Sequence, residues 1–449
     1  MAGQRNITRS FFSMLIFFCA CTAPKKIAPV VQADPEIPVL HAKDSVIAVV
    51  DHSKTDALLE NILRENPAAF DSILSNRKQW NVQVIYTQVD RAGNGRPILK
   101  NYYFNVNPGD YFYPASTVKF PISLLALQKL NELKARGIDK NTTMITEAGT
   151  DLQTPVYNDP TTPDGKPSIA QYIKKILMVS DNDAYNRLYE FLGQEYINSE
   201  LHKKGYADAQ VLHRLEIALP EAANRQTNPV KFLDAANTIL YQQPLQNNTA
   251  VYPERHDSLG ENHYKNGILV PGAMNFSKKN RIGLEDLHTM LISLVFPDRV
   301  TAGQRFDLTA EDRNFVLKYM SQLPTESLYP PYAADTANYF PAYCKFLLLG
   351  GERDAVLPGN IRIFNKPGDA YGQILDVAYI VDYEKGVEFF LSAVMYCNSD
   401  GIINDDHYDY KTIGKPFLKN LGQTIYNYEV KRPKKFLPDL TPFKFTYDK

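Results

Sequence analysis

The stretch "YFYPASTVKFPISLLALQKL", residues 111–130, places a serine and a lysine, Ser116 and Lys119, at the start of an apolar run. From residue 118 to residue 127 the side chains are apolar nearly all round, which predicts a helix buried on every side rather than a surface helix. In a helix, side chains three apart share a face, so Lys119 lies one turn beyond Ser116. Two polar, reactive side chains at the mouth of a buried helix require an explanation.

One explanation of this pair is catalytic. A helix N-terminus offers free N–H groups and a positive dipole end, which suit an oxyanion, and a buried lysine resists protonation and can act as a base toward serine. The structural alternative is a helix N-cap at Ser116 with Lys119 snorkelling, and for the isolated pair this alternative is the more common one. The bare S-x-x-K pattern carries little weight, because Ser75 and Lys78 match it without an apolar helix behind them.

The elements around this stretch predict one antiparallel sheet built from both ends of the chain, with helices between. Asn94 and Gly95 give a strong hairpin signal between the first two strands. Strands are expected at residues 80–90, 96–106, 359–366, 373–383 and 387–397. Helices are expected at residues 55–74, 167–193 with a polar break at 180–183, 228–240, 283–295, 309–323 and 415–430.

Two further polar groups interrupt this pattern. The tripeptide "SDN" occupies residues 180–182 between two predicted helices, and "KPGD" occupies residues 366–369 where a predicted strand ends. Together with Ser116 and Lys119 they resemble the set S-x-x-K, S-D-N and K-T-G of class A β-lactamases and penicillin-binding proteins. Each motif is weak alone, but here they occur in the order of that superfamily.

A fourth segment resembles the omega loop of class A enzymes. Arg214 and Glu216 match its R-x-E, and the following "NRQTNP" is similar to the exit of that loop, one residue shorter. The resemblance covers about residues 55–430, interrupted by an apparent insertion at residues 241–279. It implies an α/β (α+β) fold, in which an antiparallel sheet flanked by helices meets an all-helical subdomain with Ser116 at the junction.

The resemblance implies a role in acylation for four side chains. Ser116 attacks the carbonyl carbon of a strained lactam or a peptide-like bond and becomes acylated. Lys119 takes or relays its proton, and Ser180 passes a proton to the leaving nitrogen. Lys366 holds the Ser180 hydroxyl and the substrate carboxylate by its charge.

The resemblance also implies groups that bind the substrate and release the product. Asn182 hydrogen-bonds the acyl-amide side chain of the substrate, and the backbone N–H groups of Ser116 and Asp369 form the oxyanion hole. Gly368 completes the third motif. Glu216 orients and deprotonates the water that hydrolyses the acyl-enzyme.

Two positions depart from the family pattern. Pro220 stands where class A enzymes have an Asn that helps to hold the hydrolytic water, and Pro367 replaces a hydroxyl residue that contacts the substrate carboxylate. Proline also removes an N–H and fixes φ. We therefore expect intact acylation but weakened carboxylate recognition and deacylation.

The residues also have structural alternatives. Glu216 could pair with Arg214 or Arg225 on a surface loop, and residues 180–182 have the composition of helix caps. Three functions follow from these possibilities. The first is β-lactam hydrolysis through Ser116, the second is a D,D-peptidase or other acyl transferase acting on peptidoglycan peptides, and the third is a degenerate, non-catalytic module that binds cell-wall material.

The N-terminus predicts export. Residues 1–20 combine two arginines with a short apolar core, which is typical of a signal peptide and too short for a comfortable transmembrane span. "FCAC" resembles a bacterial lipobox, which implies lipid attachment to Cys21 at the membrane of the cell envelope (periplasm), with ordinary secretion as the alternative. We expect residues 21–54, which are rich in Pro and Ala, to act as a tether, and residues 431–449 to form a basic C-terminal tail.

Composition narrows the possible partners. A formal net charge of -1 argues against nucleic-acid binding. The eight histidines form no metal-binding motif, so we expect no metal site. We also expect no other cofactor. The expected protein is a monomer that acts on a small-molecule substrate. The pattern does not decide whether Cys344 and Cys397 pair.

Overall fold

The computed structural model of the protein describes residues 53–448. The predicted signal peptide at residues 1–20, the predicted lipidation site Cys21 and the tether as far as residue 52 lie outside the described residues. Between residues 53 and 448, no helix combines the length and the apolar character needed to cross a membrane.

The regular elements alternate between helices and short strands along the described chain. The α-helices of residues 53–448 are α1 (Ala57–Arg64), α2 (Pro67–Ser75), α3 (Lys119–Leu133), α4 (Ile169–Val179), α5 (Asn182–Leu192), α6 (Gln194–Lys203), α7 (Glu221–Arg225), α8 (Leu284–Val295), α9 (Ala310–Ser321) and α10 (Lys415–Lys431). The strands of the same residues are β1 (Gln83–Arg91), β2 (Pro97–Phe104), β3 (Thr143–Thr146), β4 (Gln226–Thr227), β5 (Val230–Leu233), β6 (Ile239–Gln243), β7 (Gln246–Asn247), β8 (Ser258–Leu259), β9 (Asn262–Lys265), β10 (Ile268–Pro271), β11 (Met274–Asn275), β12 (Ile361–Ala370), β13 (Gln373–Asp382), β14 (Val387–Tyr396) and β15 (Ile402–Ile403).

The main sheet has the strand order β12-β13-β14-β1-β2, and each neighbouring pair is antiparallel. Its strands come from the two ends of the described chain, which confirms the predicted sheet. The turn between β1 and β2 contains Asn94 and Gly95, and Gly95 has a φ of +79°, a left-handed conformation that favours glycine. Strand β13 is buried along its whole length because helices cover both faces of the sheet.

Two hydrophobic cores lie on the two faces of this sheet. Helices α1, α2 and α10 cover one face, where Phe70 and Leu421 pack in one cluster with Ile380 of β13. Helices α8 and α9 cover the other face, and the helical subdomain of α3 to α6 continues that second core. The predicted combination of a helix-flanked sheet and a helical subdomain is confirmed, with the small sheet β3-β5-β6 added beside the helices.

Helix α3 begins directly after the Ser116 turn. Every residue from 119 to 130 is buried, as the apolar pattern predicted. Helices α4 and α5 meet at residues 180 and 181, which confirms the predicted polar break. The Ser116 turn, the α4–α5 junction and strand β12 are therefore the elements that position the site.

The helix predicted at residues 228–240 is wrong, because this segment forms the antiparallel strands β5 and β6. Val230 and Phe232 are buried, whereas Lys231 between them is partly exposed, which is the period of a strand. The Asp234 side chain accepts hydrogen bonds from the backbone N–H groups of Ala236 and Thr238, at 2.9 and 2.8 Å. This local turn closes a hairpin instead of continuing a helix.

Other segments refine the predicted boundaries. The helix predicted at residues 55–74 is divided into α1 and α2 at Pro67, since proline is suited to a first helical position and not to a helix interior. The predicted insertion at residues 241–279 contains the short strands β7 to β11. In the predicted C-terminal tail, Phe443 is buried with its ring centroid 5.1 Å from that of Tyr379 on the sheet.

Candidate active site

Ser116 lies in a strained turn at the entrance of α3. A 3-10 turn, Ala115–Val118, leads directly into the helix, and Ala115 has a φ of +45°, which is uncommon for a residue other than glycine. The Thr117 hydroxyl donates to the carbonyl of Pro114 at 2.6 Å and holds this turn. Ser116 is partly exposed whereas its neighbours Ala115 and Thr117 are buried, so its hydroxyl faces an opening.

Lys119 is fully buried one turn beyond Ser116. Its Nζ lies 2.9 Å from Ser116 Oγ, 3.1 Å from Ser180 Oγ and 2.6 Å from Asn182 Oδ1. It also contacts the carbonyl oxygen of Ser180. Burial holds the pKa of Lys119 well below its usual value, and the neighbouring charge of Lys366 lowers that pKa further. A neutral amine keeps a lone pair that can receive the proton of a neighbouring hydroxyl.

The α4–α5 junction directs two side chains toward Lys119. Ser180 has a left-handed backbone, with a φ of +62°, where α4 ends. The Asp181 side chain accepts from the N–H of Ala184 at 2.8 Å and caps α5. The cap interpretation is therefore right for Asp181, whereas Ser180 and Asn182 contact the lysine.

Lys366, on strand β12, also lies next to Ser180. Its Nζ donates to Ser180 Oγ and to the carbonyl of Pro367, both at 2.8 Å. The side chain is buried, and burial lowers the pKa of its amine. Ser180 Oγ thus lies between the amines of Lys119 and Lys366, a geometry suited to carrying a proton.

Gly368 explains how strand β12 approaches the Ser116 turn. A Cβ atom on Gly368 would lie 2.6 Å from the backbone nitrogen of Ser116 and 3.0 Å from that of Thr117. Only glycine leaves this space open. The backbone of the exposed residue Asp369 follows immediately on β12, so the two predicted oxyanion-hole residues belong to segments in direct contact.

Pro367 lies inside β12 and not after the strand. Strand β12 is an edge of the main sheet, where a missing N–H is tolerated, and Pro367 pairs with Asp376 of β13. The position offers no side-chain hydrogen-bond donor to a substrate carboxylate.

Glu216 is connected to the other site residues by a hydrogen bond from Asn182. Asn182 Nδ2 donates to Glu216 Oε2 at 2.7 Å, while Asn182 Oδ1 accepts from Lys119. Glu216 is exposed and has a left-handed φ of +64°. Pairing with Arg214 or Arg225 does not occur: Arg214 binds Glu190 at 2.8 Å, and Arg225 lies 3.3 Å from Glu221.

The base of the Glu216 loop is held by residues that sequence reasoning missed. Glu190 forms buried ion pairs with both Arg214 and Arg187, at 2.8 and 2.9 Å. Asn186 exchanges hydrogen bonds with the backbone of Leu215, at 3.1 and 2.9 Å. The available signal was the presence of three polar residues on an otherwise apolar helix face.

A second missed network fixes strand β12 behind Lys366. The buried Lys345 donates to Asn365 Oδ1 at 2.8 Å, and Asn365 Nδ2 donates to both oxygens of Asp376 at 2.9 Å. Cys344 and Cys397 are both buried free thiols, so they do not pair.

The structure thus brings together Ser116, Lys119, Ser180, Asn182, Lys366, Gly368 and Glu216, with Asp369 next along β12. A model of the β-lactamase enzyme family (Beta-lactamase2) matches residues 68–428. The chain belongs to this family. The resemblance inferred from the motifs is confirmed.

Several solved structures are similar to the chain at low identity, whereas no curated protein matches it. PBP-A is 16% identical, with 83% of this chain and 95% of PBP-A covered and a TM-score of 0.44. A β-lactamase from Sphaerobacter thermophilus is 13% identical, with 84% and 97% covered and a TM-score of 0.41. An ancestral class A β-lactamase is 15% identical, with 82% and 99% covered and a TM-score of 0.42. The assignment to the family depends on the family model.

Proposed function

We propose that this protein is a serine acyl hydrolase that acts on β-lactams through an acyl-enzyme on Ser116. The observation that carries the proposal is that one buried amine contacts two hydroxyls. Lys119 Nζ lies 2.9 Å from Ser116 Oγ and 3.1 Å from Ser180 Oγ, and Lys366 Nζ lies 2.8 Å from the same Ser180 Oγ. Family membership supports a hydrolase of this class.

Acylation would begin when neutral Lys119 accepts the Ser116 hydroxyl proton and Ser116 Oγ bonds to the lactam carbonyl carbon. The N–H groups of Ser116 and Asp369 would stabilise the oxyanion. As the C–N bond breaks, Ser180 would donate its proton to the leaving nitrogen and recover one from Lys119, which becomes neutral again. Lys366 would stabilise the negative charge that passes over Ser180.

Deacylation would use the Glu216 side of the cleft. Glu216 would take a proton from a water molecule that attacks the ester carbonyl carbon, and the Ser116 oxygen would leave with a returned proton. Glu216 is exposed, and Pro220, four residues later, has no side-chain hydrogen-bonding group, so we expect a water there to be poorly held. We therefore propose slow deacylation and a persistent acyl-enzyme.

The test is intact-mass measurement of the protein after exposure to benzylpenicillin, combined with turnover of a chromogenic cephalosporin. We expect a stable adduct of one penicillin per chain and little turnover. The adduct should be lost in Ser116→Ala and kept in Ser75→Ala, because Ser75 belongs to the other S-x-x-K pattern. Rapid turnover without an adduct would refute slow deacylation, and a label that survives Ser116→Ala would refute the nucleophile.

A second candidate, a penicillin-binding D,D-peptidase or other acyl transferase, is favoured by Pro220, since transfer of the acyl group to an amine needs no hydrolytic water. Release of the terminal residue from a D-Ala-D-Ala peptide, absent in Ser116→Ala, would support it. The third candidate, a non-catalytic cell-wall-binding module, is supported by both Pro220 and Pro367. It requires that neither the adduct nor turnover nor peptide cleavage be observed.

We also propose that the chain is exported as a lipid-anchored monomer of the bacterial cell envelope. The support is the N-terminal sequence pattern, with Cys21 as the lipidated residue. Membrane fractionation should recover the native chain with the membrane and Cys21→Ser in the soluble fraction. An unchanged distribution would contradict the anchor.

A further inference from the structure

A cavity of about 680 Å³ lies beside the Glu216 loop. One wall comes from that loop, at Ile217 and Leu219, and another comes from the insertion, at Tyr252 and Lys279. The insertion therefore does more than extend the surface, because it encloses a space next to the residues proposed for deacylation.

Aromatic packing connects this cavity to the Ser116 turn. Tyr113, three residues before Ser116, stacks on the ring of His213 with centroids 6.1 Å apart and an interplanar angle of 2°. Tyr113 also packs against Phe276 of the insertion, with centroids 6.1 Å apart. His213 lines the cavity, so a pair of stacked rings spans the distance from the Ser116 turn to the cavity wall.

The cavity lies nearer to the Glu216 loop than to the hydroxyl of Ser180 in sequence and in its lining residues. The leaving nitrogen belongs near Ser180, the hydroxyl that Lys366 holds, whereas Glu216 lies on the other side of Asn182. Ile217, which lines the cavity, directly follows Glu216. The cavity therefore adjoins the loop that carries Glu216, and neither Ser180 nor Lys366 lines it.

The cavity has an excess of positive charge. Its charged lining side chains, apart from two histidines, are the cations Arg225, Arg255, Lys278 and Lys279 and the carboxylates Glu221 and Glu254. Glu221 already pairs with Arg225 and Lys278, at 3.3 and 3.8 Å, and Arg255 pairs with Asp257 at 3.3 Å. Among residues 53–448, Lys279 has no carboxylate within 4.0 Å, and its amine lies 5.5 Å from the ring centroid of Tyr371.

Two buried polar nitrogen atoms at the cavity wall have no hydrogen-bond partner among residues 53–448. Arg255 is nine-tenths buried, and its Nη1 has no hydrogen-bond partner within the described chain. His213 Nδ1 donates to the carbonyl of Arg214 at 2.6 Å. The other ring nitrogen, Nε2, is therefore an acceptor, and it is buried with no hydrogen-bond partner among residues 53–448. Burial lowers the pKa of His213 to about 4, so its ring is neutral near pH 7.

We propose that this cavity binds the acyl portion of the substrate and selects an acyl group that carries a carboxylate. The inference depends on the proposed function, since it assigns the cavity to the acyl half of the same reaction. A carboxylate placed there gains a charge-assisted interaction with Lys279, the cation without an acidic partner. An ammonium group in the same place is repelled.

Three penicillins that differ only in the acyl side chain test this inference. Benzylpenicillin is neutral at the α-carbon of that side chain, carbenicillin has a carboxylate there and ampicillin has an amine. We expect carbenicillin to acylate the protein roughly three- to tenfold faster than benzylpenicillin, and ampicillin to be the slowest, as followed by intact mass at low ionic strength. High salt should reduce the difference, because the interacting charges are partly solvated.

The matched variants are Lys279→Gln and Lys265→Gln. Lys265 is an exposed lysine of the same insertion that does not line the cavity. We expect Lys279→Gln to bring the carbenicillin-to-benzylpenicillin ratio close to one, and Lys265→Gln to leave the ratio unchanged. Equal rates for all three penicillins in the native protein, or equal effects of both variants, would overturn the inference and leave the proposed function intact.

Failure of the proposed function gives a different result. If no penicillin acylates Ser116, calorimetry on the native protein still compares the binding of carbenicillin and benzylpenicillin. Tighter binding of carbenicillin that disappears in Lys279→Gln would support the cavity as an anion-selective site. Equal affinity would overturn it.

Discussion

The turn that carries Ser116 and the loop that carries Glu216 meet at Asn182, but their polar groups are held differently. Lys119 and Lys366 are buried, and their amines contact neighbouring hydroxyl, amide and carbonyl oxygens. Glu216 is exposed, and its carboxylate accepts one side-chain hydrogen bond, from Asn182. The groups proposed for acylation are thus preorganised by the core, whereas the group proposed for deacylation lies on a loop whose base alone is fixed.

The strongest test of this comparison is Lys119→Met, which keeps the volume and removes the base. We expect acylation by benzylpenicillin to slow by roughly 10²- to 10⁴-fold. Burial lowers the pKa of Lys119 in the native protein, so acylation should fall as the pH drops through that lowered value. A pH profile of the acylation rate that is the same in the variant and the native protein would contradict this role.

The second test separates the base of the Glu216 loop from its tip. Arg214→Met leaves part of the charge of buried Glu190 uncompensated, and we expect the free energy of unfolding to fall by about 3–5 kcal/mol. The control is Arg225→Met, whose partner Glu221 is about half exposed, and there we expect about 0–1 kcal/mol. Chemical denaturation measures both, and equal losses would show that the loop is not anchored at Arg214.

The third test concerns the contact between β12 and the Ser116 turn. In Gly368→Ala the new Cβ would overlap two backbone nitrogens, so the strand must shift. We expect a loss of about 1–3 kcal/mol in stability and roughly tenfold slower acylation. Gly359→Ala, where nothing lies within 4 Å of the added Cβ, is the matched control. Native acylation in Gly368→Ala would mean that the oxyanion hole does not depend on this contact.

The smallest expected effects concern the exposed side of the comparison. Glu216→Gln should still form the penicillin adduct. We expect release of the adduct to slow by roughly tenfold, a smaller loss of rate than the removal of a well-positioned general base usually causes. Pro220→Asn should speed release several-fold, because the amide restores a group that can hold water. The lifetime of the adduct by mass spectrometry measures both, and an unchanged lifetime in both variants would exclude this loop from deacylation.

Most of the fold can be predicted from local sequence patterns, because tertiary packing leaves most of the predicted helices and strands unchanged. The buried helix α3 and the hairpin of β1 and β2 occur where apolar spacing and turn residues predict them. The prediction of a helix at residues 228–240 is wrong because the apolar residues of this segment fit both a helix and a strand. The hydrogen bonds of Asp234 close a turn there and decide for the hairpin.

The motifs predict the residues of the candidate site but not the residues that support them. Glu190, Lys345 and Asp376 have no recognisable spacing in the sequence, since each depends on a partner that only folding brings close. The sequence motifs do not predict the charge of the cavity either, because the insertion that contributes Lys279 lies outside those motifs.

The sequence by itself determined which groups are available: a serine and a lysine at the mouth of an apolar helix, a polar tripeptide at a helix break and a cation near the end of a strand. Only the tertiary structure decided what these groups can do. It buries Lys119, which lowers its pKa, and brings Lys366 to Ser180 across 186 positions of sequence. The physical reason is that proton affinity and charge depend on the surrounding solvent and neighbours, which the order of residues does not contain.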